Sequence, residues 1–229
     1  MADLVLVITE VTEMRGSYCV AGWSPIAKRM VRPLPGGEYW SLQQLQLPKS
    51  GTFIRPGLKV QFSAADASPT GDFPHRTENM IVDGKIKGIV EDPSFSWFGD
   101  RAPAVDASIE DAFQGFLRVH SSSTGINKGA FVPAGSRSRS LIALEAEAES
   151  LSLFVDEKSR LRGRLADPKG TYNLAVVSKS IRETWRLQGI DVVRSQLPTN
   201  GKLHIRIGLA RPFDNQPDKC YLMINGVYW

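Results

Sequence analysis

The sharpest pattern in this chain runs from Ser159 to Ala166, "SRLRGRLA", where Leu161, Gly163 and Leu165 share one parity and Arg160, Arg162 and Arg164 the other. Side chains of a β-strand point alternately to its two faces, so the stretch predicts a strand with an apolar inner face and a basic outer one. "DPKG" follows at 167–170: Asp at the first turn position, Pro pre-setting the backbone at the second and Gly at the fourth, the residue set of a type I turn. "TYNLAVV" (171–177) then returns as the hairpin partner. Ser180 with Glu183 reads as a capping box, with Ile181 and Trp185 at helical spacing before Gly189, which predicts a short helix. "KLHIRIGLA" alternates again, turning Leu203, Ile205, Ile207 and Leu209 inward, and "CYLMINGVYW" predicts a closing hairpin about Asn225-Gly226. The stretch before this series, "SLIALEAEAESLSLFV" (140–155), is compatible with helix by propensity.

Three strands, a helix and further strands is the order of an OB-fold, a small Greek-key barrel with a helix between its third and fourth strands. The first half reads likewise: "DLVLVITEV", "SYCVAGW", "KRMVRPL", "LKVQFSA" and "KIKGIVED" predict strands. A helix from Ser108 to about Val119 carries Ile109, Ala112, Phe113, Phe116 and Leu117 as an apolar stripe. Between the halves, "SSSTGINKGAFVPAGSRSR" (121–139) has the Ser, Gly and Arg content of a linker. The expectation is a mainly β protein with a few short helices: two tandem OB-like Greek-key barrels, at 1–120 and 140–229, joined by a linker at 121–139. "RMVRPLP" (29–35) and "GLARPF" (208–213) echo each other, as a duplication predicts.

Composition narrows the function classes. Over 229 residues, 28 basic side chains against 24 acidic ones leave a net charge of +4, a balance that admits a nucleic-acid or nucleotide partner without requiring one. Leu4 to Ile8 lies between Asp3 and Glu10 with no basic segment before it, unlike a signal peptide, and no apolar run approaches bilayer length, so a cytoplasmic protein without membrane partners is expected. Cys19 and Cys220, at opposite ends of the chain, read as buried free thiols rather than as a disulfide framework or a metal site.

The segments "VITEVTEMRGSYCVAG", "VRPLP", "PHRTEN" and "CYLMINGVYW" resemble the prokaryotic dual OB-containing domain family, and the resemblance covers essentially the whole chain. It implies two tandem OB barrels, an architecture rather than a chemistry.

Candidate sites follow from this frame. On the second strand of an OB barrel, Arg160, Arg162 and Arg164 would stand roughly 6 to 7 Å apart on the face that this fold commonly offers to oligonucleotides. The plainer reading is a basic, solvated strand surface that protects an edge. "SFSWFGDR" (94–101) sets Trp97 and Arg101 in a loop with Phe95 and Phe98, rings able to stack on bases or to fold back on the core. "DFPHRTENM" (72–80) brings His75, Arg76, Glu78 and Asn79 together. His75 could serve as an acid or base oriented by Glu78, Arg76 and Asn79 could clamp a phosphate and a polar edge, or the segment could be a hydrogen-bonded loop. Arg32-Pro33 and Arg211-Pro212 end strand-like runs and either tie the barrels together or line a groove with His75. No nucleotide-loop, hydrolase-elbow or metalloprotease motif is present, and the three histidines form no metal-ligand spacing, so no catalytic residue, metal or cofactor is expected. The reading that emerges is a non-catalytic binding module for single-stranded nucleic acid or a nucleotide-like ligand. Its alternatives are an enzyme or small-ligand sensor using His75, Arg76 and Glu78 in a cleft between barrels, and an adaptor that binds a protein partner.

Overall fold

The computed structural model describes residues 3–48, 51–66, 70–91, 106–120 and 129–229. The chain is mainly β and divides into two compact units, one of residues 1–71 and 76–103, the other of residues 72–75 and 104–229.

In the first unit, β1 (Leu4–Met14), β2 (Ser17–Ser24), β3 (Arg29–Pro35), β4 (Lys59–Asp66) and β5 (Asn79–Glu91) close a barrel in the order β1-β2-β3-β5-β4. Neighbours are antiparallel except β3 and β5, which run parallel with Arg32 beside Asn79. All five strands lie where the alternation predicts them, β5 beginning earlier. Leu6, Ile8, Val20, Val31, Val60, Phe62 and Val82 fill the interior. Trp40 joins them, its ring 5.6 Å from Phe62 and its indole N–H donating to the Pro33 carbonyl at 2.7 Å. Arg32-Pro33 therefore lies inside β3 rather than ending it: the chain continues in register through Pro35, with Pro33 beside Met80. Arg211-Pro212 lies past the end of its strand, separated from Leu209 by Ala210.

The second unit contains α1 (Ile109–Ala112), β6 (Arg118–Val119), β7 (Ala130–Pro133), β8 (Leu141–Glu147), β9 (Leu151–Val155), β10 (Leu161–Asp167), β11 (Gly170–Val176), α2 (Lys179–Gln188), α3 (Ile190–Gln196), β12 (Lys202–Leu209) and β13 (Lys219–Tyr228). β9, β10 and β11 are antiparallel neighbours, β11 runs parallel to β13, and β13 pairs on with β12 and β12 with β8. The inward residues of "SRLRGRLA" and "KLHIRIGLA" are all buried, as their alternation requires. In the turn between β10 and β11 the Asp167 carboxylate accepts from the amides of Lys169 and Gly170, at 2.8 and 2.9 Å. Among the described residues no helix is long and apolar enough to cross a membrane.

Several expectations are corrected. Asn225-Gly226 is no hairpin tip: β13 passes straight through it, pairing Tyr228 with His204 and Ile224 with Ile207 across a bulge. Two locally turn-prone residues are held extended because β12 supplies a full partner strand. The 140–155 stretch is not helix but two strands, β8 and β9, joined by a short 3-10 turn at Ala148–Ser150. The helix expected over Ser108–Val119 is a single turn, capped by the Ser108 hydroxyl accepting from the Asp111 amide and stopped where Gln114 and Gly115 turn left-handed. Its Ile109, Ala112 and Phe113 enter the second core, not the first. Part of the expected linker is likewise structural, since Ala130–Pro133 forms β7 and pairs with β13; residues 121–128 lie outside the described residues. Helix α2 starts two residues earlier than the capping box implies, with Ser178 as its cap residue and Glu183 paired to Lys179 rather than to Ser180.

Among the described glycines of the barrel, Gly22 has backbone closest to where a side chain would begin. It faces Ile8 where the β1–β2 register shifts around Thr9, and a Cβ there would lie 2.4 Å from the Val7 carbonyl oxygen. Backbone cannot rotate away as a side chain can. Gly22→Ala should therefore cost about 1–3 kcal/mol of overpacking and lower the chemical-denaturation midpoint; an unchanged midpoint would show that the strands part without cost.

Candidate functional site

Because Leu161, Gly163 and Leu165 are drawn into the second core, Arg162 and Arg164 stand on the outer face of β10. Register fixes their neighbours: Arg162 lies between Phe154 and Ala175, Arg164 between Ser152 and Asn173. Arg162 is half-buried and its Nη2 donates to the Asn173 carbonyl at 3.0 Å. Burial, and secondarily the positive charge of Arg160, pull its pKa below the usual guanidinium value. Arg164 is exposed, with its guanidinium 5.5 Å from the centre of the Phe154 ring and its Nε 3.4 Å from the Asn173 side-chain oxygen. This places the cation within cation–π range of an aromatic ring.

Arg160 does not join that row. It precedes β10 in the turn that starts at Asp156, and it donates to that carboxylate through Nε at 2.8 Å and Nη2 at 2.7 Å while its amide donates to the other carboxylate oxygen at 2.9 Å. Partial desolvation would raise the Asp156 pKa, but the hydrogen bonds from Arg160 and Lys158 outweigh it and hold the carboxyl below the usual range. The charge of Arg160 is offset locally, and its role is to pin the β9–β10 turn.

Two contributors were not legible in the sequence. Phe154 supplies the ring interleaved with the arginines, and Arg194 on α3 reaches back to the free edge of β9, donating through Nε to the Leu153 carbonyl at 2.9 Å and through Nη1 to Asp191 at 3.1 Å. Between β9 and α3 lies an open groove of about 620 Å³, lined by Ser152, Phe154, Arg164, Arg194, Leu197 and Thr199 among others, with Glu149 the one carboxylate in its wall. The sequence left 140–155 compatible with helix, and the register of β9 against β10, which brings Phe154 beside Arg162, is a tertiary property.

The segment at 72–80 is placed differently. His75, Glu78 and Asn79 are buried, whereas Arg76 is exposed. His75 packs in the second unit, where its Nε2–H donates to the Leu209 carbonyl at 3.0 Å. Arg76, Glu78 and Asn79 belong to the first unit, where the Asn79 side chain accepts from Arg32 Nη1 at 2.9 Å and donates to the Thr70 carbonyl at 3.2 Å. Arg32 is itself buried, and its amide donates to the Glu78 carbonyl at 2.7 Å. These polar groups answer one another and the backbone, which is what a structural hydrogen-bonded loop requires. Arg211 is half-buried just past β12. Trp97 and Arg101 lie outside the described residues. Among the described residues no group of three or more His, Cys, Asp and Glu side chains could hold a metal ion.

No family model, curated protein or solved structure matches this chain.

One histidine is informative about stability rather than binding. His204 on β12 is pushed down to about 4, chiefly by burial and then by the charge of Arg206, with Glu145 partly opposing. The unfolded chain takes up this proton near the ordinary value of 6.5 and the folded chain does not, so the contribution is complete above that pH and is lost as the pH falls towards 4. The urea midpoint of the native chain should accordingly fall, relative to that of His204→Asn, between neutral pH and about pH 4.5; a gap that does not change with pH would contradict it.

Proposed function

We propose that the chain is a pair of OB-type barrels acting as a non-catalytic binding module for single-stranded nucleic acid or a nucleotide-like ligand, with the outer face of β9–β10–β11 as its contact surface. Support for the barrel type comes from strand order. The first unit closes as β1-β2-β3-β5-β4 with its third and fifth strands parallel, and the second repeats that plan with β10, β11, β12 and β13 as second to fifth strands, β8 and β9 together as the first, and helices between the third and fourth. The resemblance to the prokaryotic dual OB-containing domain family points the same way.

The observation that carries the functional reading is Arg164 lying against Phe154 beside Arg162, at the mouth of a groove that also holds Arg194. A guanidinium beside an aromatic ring offers two groups on which a base can stack, and such stacking tolerates any base sequence. Arg162, half-buried against a neutral carbonyl, gains most from an incoming phosphate, because charge-assisted pairing is stronger than its present hydrogen bond. With Asp156 on Arg160, Asp191 on Arg194 and Glu149 in the groove wall, the charge surplus is small, so stacking and a few phosphate contacts share the affinity.

Arg162→Gln combined with Arg164→Glu should abolish binding of a fluorescein-labelled oligonucleotide in an anisotropy titration run at a temperature where circular dichroism shows the variant folded. For the native chain, three guanidinium contacts at roughly −0.7 each give a log–log salt slope of about −2. Undiminished binding by the double variant would remove the proposal.

A further inference from the structure

The second unit has another outward surface with no part in its core. On β7, Ala130 and Val132 turn inward and Phe131 outward; on β13, Cys220 and Leu222 turn inward and Tyr221 outward. Register places Arg118 beside Phe131 and Phe131 beside Tyr221, so these three share one line across β6, β7 and β13. His120 follows β6 and lies against the Phe131 ring with centroids 5.0 Å apart and planes inclined by 29°. Phe131 and Tyr221 are 5.8 Å apart, and Phe213 continues the series 6.4 Å from Tyr221. Lys219 sets its ammonium 5.4 Å from the centre of the Phe131 ring. The Tyr221 hydroxyl donates to the Gln216 side-chain oxygen and sits 3.4 Å from His120 Nε2, which fixes the ring. Arg118 is held in place by the carbonyls of Gly115 and Leu117, each at 2.8 Å.

Rings on the solvent side of a sheet contribute little to a core that Ala130, Val132, Cys220 and Leu222 already fill. Here they are exposed or half-buried, stepped side by side, and edged with groups that hydrogen-bond or carry positive charge: the tyrosine hydroxyl, the imidazole, the glutamine amide, Lys219 and Arg118. Bare apolar faces suit protein partners. A ring surface edged with donors and cations suits flat heterocycles that carry phosphate. Asp214 and Asp218 are exposed in the same region, which keeps the cation excess small and leaves the ring faces as the main source of affinity.

We infer that the outer face of β6–β7–β13 is a second nucleobase-stacking platform, built on Phe131, Tyr221 and His120 and separate in its residues from the groove of Arg164 and Phe154. The inference rests on the nucleic-acid reading proposed above and extends it: one strand meets the second unit at two places. Two weak sites on one strand raise affinity through effective concentration.

The test uses the whole chain and a fluorescein-labelled oligothymidylate of about 12 nucleotides, within the usual span of one such barrel. Tyr221→Ala should weaken binding by about 5- to 150-fold, the loss that follows removal of one stacking ring. Tyr221→Phe, which keeps the ring and drops the hydroxyl, should bind like the native chain. If the native chain binds and Tyr221→Ala matches it, the platform is overturned while the groove stands. If Tyr221→Phe loses as much as Tyr221→Ala, the hydroxyl's hold on the fold is responsible and the platform is again overturned. If the native chain binds no oligonucleotide, both readings fall together.

Discussion

The phase of β10 governs the second unit. Leu161 and Leu165 are buried in its core, and between them Gly163 leaves the space that Ile224 of β13 fills: a Cβ at that glycine would lie 2.5 Å from the Ile224 Cδ1. A slip of one residue would send two guanidiniums inward and two leucines outward, and uncompensated buried charge costs several kcal/mol. The inner face therefore dictates the outer one. Arg162 and Arg164 stand on the outer face because the core permits no other register, and Phe154 meets Arg164 because β9 is locked to the same strand.

This also explains why the arginine alternation is informative only in part. Arg162 and Arg164 belong to the strand and inherit its phase. Arg160 has the same parity in the sequence but sits in the turn, where the nearest carboxylate, Asp156, claims it. Parity predicts direction only as long as the backbone stays extended.

Much of the fold was legible in the chain, and the gaps have physical causes. The barrel strands, the Asp167–Gly170 turn and the end of α2 at Gly189 rest on local rules of period and backbone freedom, and there local and tertiary preferences agree. Asn225-Gly226 and the 140–155 stretch failed because pairing with distant strands outweighed local propensity. The helix at Ser108 was overextended because an apolar stripe continues past Gln114 and Gly115, whose left-handed backbone ends the turn. For the candidate site, the arginines were visible but Phe154 and Arg194 were not, since both depend on which strand or helix lies alongside β9. At 72–80 the residue types invited a chemical reading; in the structure the buried His75 meets the Leu209 carbonyl and the buried Asn79 meets Arg32 and the Thr70 carbonyl, partners that lie far from them in the chain or outside the motif.

The most direct measurement of the central claim is hydrogen–deuterium exchange of the whole chain with and without a saturating single-stranded oligonucleotide, resolved to short peptides. Added protection should appear across 151–165 and at the end of α3 around Arg194. Protection confined to other segments, with these unchanged, would contradict the assignment of that outer face as the binding surface.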